Sequence, residues 1–172
     1  MNVIFTSDRL VLRTFTIHDA SLIFQLNNDP EVIKYTYDPL NNLDEAEKVL
    51  AQTILPQYSF YSHGRWAVHL KKSLEFIGWC GLKYRPERNE VDLGYRFMKK
   101  YWGRGYATEA AQACIEYGFR KLGLRTIVGR AVLENAGSIH VLEKCGMNYV
   151  GVQDIDGYTM KTFIIDNPSI PD

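Results

Sequence analysis

A chain of 172 residues supports one well-buried core and is too short for two ordinary domains, so residues 1–172 are expected to form a single domain. With 46% apolar and 23% charged residues, its balance is that of a globular protein, which excludes disordered and fibrous classes. Lys plus Arg equals Asp plus Glu at 20 each, so no broad field attracts a nucleic-acid backbone or an anionic membrane, and neither is expected as a partner.

The run Met1 to Asp8 lacks the basic start and long apolar stretch of a signal peptide, and no later run is long enough to span a bilayer; a cytoplasmic protein is expected. Leu10 to Phe15 has strand composition, and Ala20 to Asn27, apolar at Leu22, Ile23 and Leu26, reads as a helix. After the break at Asp29-Pro30, Asn42 with Glu45 three residues later reads as a capping arrangement. It opens a helix towards Leu55 that Pro56 is expected to stop. Three strands then follow, Trp66–Leu70, Phe76–Lys83 and Val91–Met98, joined by short polar links that imply an antiparallel meander. In the third, Val91, Leu93, Tyr95 and Phe97 alternate with Glu90, Asp92, Gly94 and Arg96, so one face is apolar and the other carries two carboxylates.

Gly105 to Leu122 is the clearest helix, with Ala107, Ala110, Ala111, Cys114, Ile115, Gly118 and Leu122 on one stripe and Gly123 at its stop. A strand at Thr126–Val132, a short helix from about Asn135 to Cys145, and strands at Tyr149–Gln153 and Tyr158–Ile165 complete the chain. The fold class is α+β: a mixed, mostly antiparallel sheet of about seven strands, with a parallel pair where strand, helix and strand follow one another. Cys80, Cys114 and Cys145 are widely spaced among apolar neighbours and read as reduced core thiols. The four histidines are scattered, and no metal site is expected.

The chemistry is carried by the turn from Lys99 to Ala110. Two glycines, Gly103 and Gly105, stand just before an alanine-rich helix, where positive φ and close backbone approach are easiest. The first amides of a helix lack internal partners, and the macrodipole adds about half a positive charge there, so the turn is suited to an anion. The dinucleotide pattern Gly-x-Gly-x-x-Gly fails because Thr108 stands at the third glycine, and no Gly-x-x-x-x-Gly-Lys string occurs.

Trp102-Gly103-Arg104-Gly105-Tyr106-Ala107 resembles the Gln/Arg-x-x-Gly-x-Gly/Ala pyrophosphate motif of the GNAT acetyltransferases, and more narrowly the ribosomal-protein N-terminal acetyltransferase (RimJ/RimL-like) branch. Asp8 to Arg13, Asn28 to Val32, Asp92 to Tyr95, and Asn135 to Ser138 through Glu143 to Gly146 match the same branch in the same order. The resemblance implies a GNAT fold with helices on both faces of the sheet and a splayed parallel pair. It further implies acetyl-CoA as co-substrate and transfer to a primary amine, of a protein N-terminus or a small molecule, by direct attack in a ternary complex. The protein is expected as a monomer or homodimer. The pyrophosphate is expected on Trp102, Gly103, Arg104, Gly105, Tyr106, Ala107 and Thr108, and the pantetheine arm beside Phe97 and Met98. Asn135, Ser138 and Lys144 are further cofactor contacts, with Asn135 equally readable as a helix cap and Lys144 as a dipole partner.

Acetyl transfer needs a neutral amine, a place for the oxyanion and a proton for the leaving thiolate. Glu90 is the first choice of base and Asp92 the second; the competing reading of both is a solvated strand edge. The oxyanion donor is expected to be a backbone amide near Phe97. Many GNAT enzymes carry a tyrosine where Leu142 stands here, and Ser138, one turn earlier, is the substitute donor to sulfur. Tyr35, Tyr37, Trp79 and Tyr158 are expected to line the acceptor channel, and Glu90, Asp92, Asp154 and Asp156 would suit a cationic acceptor if they face one cleft. The missing tyrosine leaves one alternative, a non-catalytic acyl-CoA-binding regulatory module.

Overall fold

The computed structural model describes residues 1–171. The alternating apolar runs become β1 (Val3–Thr6), β2 (Leu10–Arg13), β3 (Arg65–Leu70), β4 (Phe76–Arg85), β5 (Glu90–Phe97), β6 (Thr126–Val132), β7 (Asn148–Ile155) and β8 (Tyr158–Asp166). They form one sheet in the order β1-β2-β3-β4-β5-β6-β8-β7, antiparallel throughout except for β5 beside β6. The sheet thus has eight strands where the sequence predicts about seven. The additional β1 is four residues long and half-exposed, too short for alternation to announce itself; pairing with β2 and the stacking of Phe5 on Tyr117 at 5.1 Å hold it.

The helices are α1 (Ala20–Asn27), α2 (Leu43–Val49), α3 (Leu55–Tyr61), α4 (Tyr106–Arg120) and α5 (Ala136–Lys144). Asn42 caps α2 by accepting the Glu45 amide at 2.9 Å, while the Glu45 carboxylate returns to the Asn41 amide at 2.8 Å. Pro56 does not end this helix. A π-helical turn over Leu50–Ile54, with the Leu55 amide donating to the Leu50 carbonyl, shifts the hydrogen-bond ladder by one residue, and the helix runs on through α3 to Tyr61 with Pro56 in its first turn.

Adjacent residues on a strand face opposite sides, and this divides the molecule. Leu82 faces α4, where a Cβ on Gly118 would lie 2.7 Å from it; Lys83, its neighbour, faces α2 and α3 together with Trp79 and Arg65. The stripe of α4, Ala110, Ala111, Cys114, Ile115 and Gly118, is buried against the first side, and helices cover both faces. Cys80 and Cys114 are buried free thiols 3.6 Å apart, and Cys145 is half-buried beside the start of α4. Among the described residues no helix is long and apolar enough to cross a membrane.

The parallel pair is what opens the sheet. β5 and β6 are bridged only at Asp92–Val128 and Leu93–Gly129. Beyond these residues no bridge joins the two strands, although β5 continues to Phe97 and β6 to Val132.

Candidate active site

At the end of β5 the backbone passes through a 3-10 turn, Lys99–Tyr101, into Gly103 and Gly105, whose φ angles are 71° and 79°. Only glycine adopts these without strain, and a Cβ at Gly103 would meet nothing within 4 Å, so the conformation rather than crowding demands the residue. Trp102 to Gly105 are exposed. The Glu109 amide is the first to find a helical acceptor, Gly105 at 3.0 Å. Among the described residues the amides from Gly103 to Thr108 have none, which leaves a run of donors at the positive end of a 15-residue helix. These donors fit a pyrophosphate.

A latch from the far end of the chain holds this turn. The Glu109 carboxylate accepts from Ser7 Oγ at 2.6 Å, the Arg9 amide at 2.8 Å and Arg9 Nε at 2.6 Å. Arg9 also donates to the Arg104 carbonyl at 3.0 Å and lies over the Tyr106 ring. Burial alone would raise the Glu109 pKa, but these hydrogen bonds outweigh it and hold the group ionised. Sequence reasoning missed the latch, although the matched segment Asp8 to Arg13 contains Arg9. Lys144 is exposed in the last turn of α5, which abuts α4 through Gln112 Nε2 donating to the Lys144 carbonyl at 3.3 Å.

Phe97 and Met98, the expected pantetheine partners, bond mostly within the protein. The Phe97 carbonyl accepts from Trp102 Nε1 at 2.7 Å, the Met98 amide donates to Ile77 and the Met98 carbonyl accepts from Tyr101, both at 2.9 Å. Three of their four main-chain groups are engaged within the protein, where they fix the strand-to-turn junction. From Gly94 to Arg96 the strand stays paired with β4 on one side, while on the other it has left β6.

The splay leads to a cleft of about 390 Å³ between the sheet and the helices α2 and α3. It collects Tyr35, Tyr37, Trp79 and Tyr158, drawn from three separate stretches of the chain, and the Tyr37 ring stacks on Tyr158 at 4.6 Å and 6° across the mouth. Arg96 lies over Trp79 and bonds Asn27 and Asp38, tying the segment after α1 to β5.

Of the expected bases Asp92 lines the cleft and Glu90 lies two residues away on the same strand face, but each is taken by two guanidinia. Asp92 accepts from Arg65 Nη2 at 2.7 Å and Arg85 Nη2 at 2.9 Å, and Glu90 accepts from Arg88 Nε at 3.0 Å and from Arg130. Burial pushes the Asp92 carboxyl up, but Arg65 and Arg85 outweigh it and bring it down to about 2; Arg130, then Arg88, holds Glu90 low against burial. Carboxylates held so low are poor proton acceptors, which argues against Glu90 or Asp92 as the base. Gly94 makes this floor possible: a Cβ there would lie 2.2 Å from Arg65 Nη2, which crosses it to reach Asp92. Asp154 is bonded to Thr159 and does not line the cleft, whereas Asp156 does.

Where the strands part, Tyr95 Oη donates to the Ser138 carbonyl at 2.8 Å and sits 3.0 Å from Ser138 Oγ. Both line the cleft, and burial pushes the Tyr95 hydroxyl well above its ordinary pKa. Asn135 is the N-cap of α5, its Oδ1 accepting the Ser138 amide at 3.2 Å, which leaves its amide NH₂ for another partner. Leu142 is buried, and the Cβ position on Gly129 lies 2.6 Å from its Cδ2. Leu142→Tyr is therefore expected to overpack the core and lower stability by about 1–3 kcal/mol without raising activity, as thermal melting and steady-state rates would show.

A family model described as an acetyltransferase (GNAT) domain matches residues 9–148 of the chain. The uncharacterized N-acetyltransferase p20 of Bacillus licheniformis is 32% identical over 154 residues, covering 88% of this chain and 85% of its own. RimL, a ribosomal-protein acetyltransferase solved with coenzyme A, has a TM-score of 0.82 at 18% identity, covering 96% of this chain and 98% of that one. The spermidine N-acetyltransferase of Vibrio cholerae, solved with CoA and spermine, has a TM-score of 0.77 at 22% identity, covering 94% and 97%. At such identities the two solved structures speak for the fold alone.

Proposed function

The chain belongs to the GNAT family and is an acetyltransferase, and from that premise we propose that it acetylates a primary amine bound in the cleft, by direct attack on acetyl-CoA while both substrates are held together. The single observation that carries this reading is the run of unpartnered amides from Gly103 to Thr108, beside a strand pair that parts over a pair of hydroxyls. The amides and the end of α4 hold the pyrophosphate, and Ser7, Arg9 and Glu109 keep them in register. Acetyl-CoA supplies the acetyl group and a thiolate leaving group.

With Glu90 and Asp92 spent on arginines, the cleft itself makes the amine nucleophilic. Lys83, a primary amine in this cleft, is pushed down to about 8 by burial, then by Arg85 and Arg65. An acceptor ammonium placed among the same guanidinia loses its proton more readily than in water, so no resident carboxylate base is required. Ser138 Oγ, positioned by its contact with Tyr95, hydrogen-bonds the departing sulfur and passes on the proton that the new amide nitrogen sheds. The products are then an amide and a neutral thiol.

Ser138→Ala is expected to lower kcat about 100-fold with the Kd for coenzyme A unchanged, and Tyr95→Phe to lower it less. The assay is free-thiol release from acetyl-CoA over a panel of amines. Stoichiometric binding without thiol release would favour the regulatory-module reading. Acceptors named for relatives include spermidine and a ribosomal protein, and both belong in the panel.

A further inference from the structure

We propose that the acceptor carries a carboxylate close to its amine and that Lys83 on β4 receives it, which makes a small amino acid the substrate rather than a polyamine. The inference rests on the acetyl-transfer reading above and names its substrate class.

The cleft floor holds more positive than negative charge. Asp92 is matched by two guanidinia, Arg65 and Arg85, whereas Glu90 meets Arg130 and shares Arg88 with Glu87 and Asp156, so the surplus positive charge lies around Asp92 and Lys83. Lys83 is half-buried, lines the cleft, and has no hydrogen-bond or ion-pair partner among the described residues. Two carboxylates act on it from a distance. Asp92 is committed to Arg65 and Arg85, and Glu87 is largely exposed and 3.3 Å from Arg88. An ammonium withdrawn from water without a counter-ion is costly, and a ligand carboxylate would relieve that cost.

Two further polar atoms are buried without partners at residues of the same cleft, Arg130 Nε, a donor, and Gln57 Oε1, an acceptor. A polycation would meet like charge at the floor, because Asp38 and Asp156 are already drawn to Arg96 and Arg88. The volume of about 390 Å³ suits a small molecule, and the stack of Tyr37 on Tyr158 narrows the entrance against a folded protein.

The test compares each of a set of amino acids with its carboxamide and its decarboxylated amine, alongside spermidine and acidic peptides, measuring thiol release from acetyl-CoA. Wild type is expected to prefer the free amino acids at least tenfold in kcat/KM, and Lys83→Met to erase that preference through KM with kcat retained. Equal or better turnover of the decarboxylated amines, spermidine or peptides would overturn the proposal, as would a preference that survives Lys83→Met.

Calorimetric titration of the same amino acids into the protein saturated with coenzyme A separates this inference from the reading beneath it. Binding that requires the carboxylate and Lys83 is expected. Such binding with no thiol release from any amine would keep the anion site and overturn the transferase reading. Transfer to neutral amines without carboxylate-dependent binding would do the reverse.

Discussion

Gly105→Val is expected to weaken coenzyme A binding about 10- to 100-fold while leaving kcat at saturating acetyl-CoA within a few-fold. Gly105 sits at φ 79° as the residue before α4, and a β-branched side chain there costs roughly 1–2 kcal/mol in the left-handed region. A Cβ would lie 3.4 Å from Arg9 Nη2, in ordinary contact, and the valine methyls beyond it would press on the latch that fixes the turn. The backbone would relieve both by rotating, which turns the amides away from one another; each charge-assisted hydrogen bond lost is worth about 1.5–3 kcal/mol. Calorimetry with coenzyme A reads the effect directly. Gly105→Asn, which tolerates positive φ, should recover much of the affinity. Unchanged affinity in the valine variant would remove the turn from the binding site.

Asp92→Asn is expected to lower stability by about 3–5 kcal/mol, because Arg65 and Arg85 keep their charges beneath the cleft and lose their shared counter-ion. For a chain of this size the melting temperature should fall by roughly 6–20 °C. The acid limb of stability should change with it. Asp92 is lowered in the folded protein from 3.8 to about 2, so its contribution is complete above pH 4 and is lost as pH falls towards 2. That contribution amounts to roughly 2–3 kcal/mol, and the variant should lack this loss. A general base would behave differently: its amide variant would fold with near-normal stability and lose activity across the pH range. Glu90→Gln completes the test, since its kcat/KM is expected to keep the wild-type dependence on pH, rising as the acceptor ammonium deprotonates.

What the amino-acid order determined by itself is everything written in local periodicity. The stripe of Ala110, Ala111, Cys114, Ile115 and Gly118 specifies α4, the alternation from Glu90 to Phe97 specifies β5 and its two faces, and Gly103 and Gly105 mark the turn between them. These signals need only neighbours along the chain, and they are also the pieces that carry the family likeness.

Tertiary structure alone decided the charge state and partners of the site. Glu90 and Asp92 read as free carboxylates until Arg65, Arg85 and Arg130 arrive from other positions on the sheet and Arg88 folds back from the turn before β5. The Arg9–Glu109 latch joins residues 100 apart, and Tyr95 meets Ser138 across 43. Pro56 illustrates the same limit within one helix, where a π-helical turn absorbs what the sequence marks as a stop. Whether an acidic side chain is a base or a counter-ion depends on which groups the fold brings within about 3 Å, and spacing along the chain carries no record of that distance.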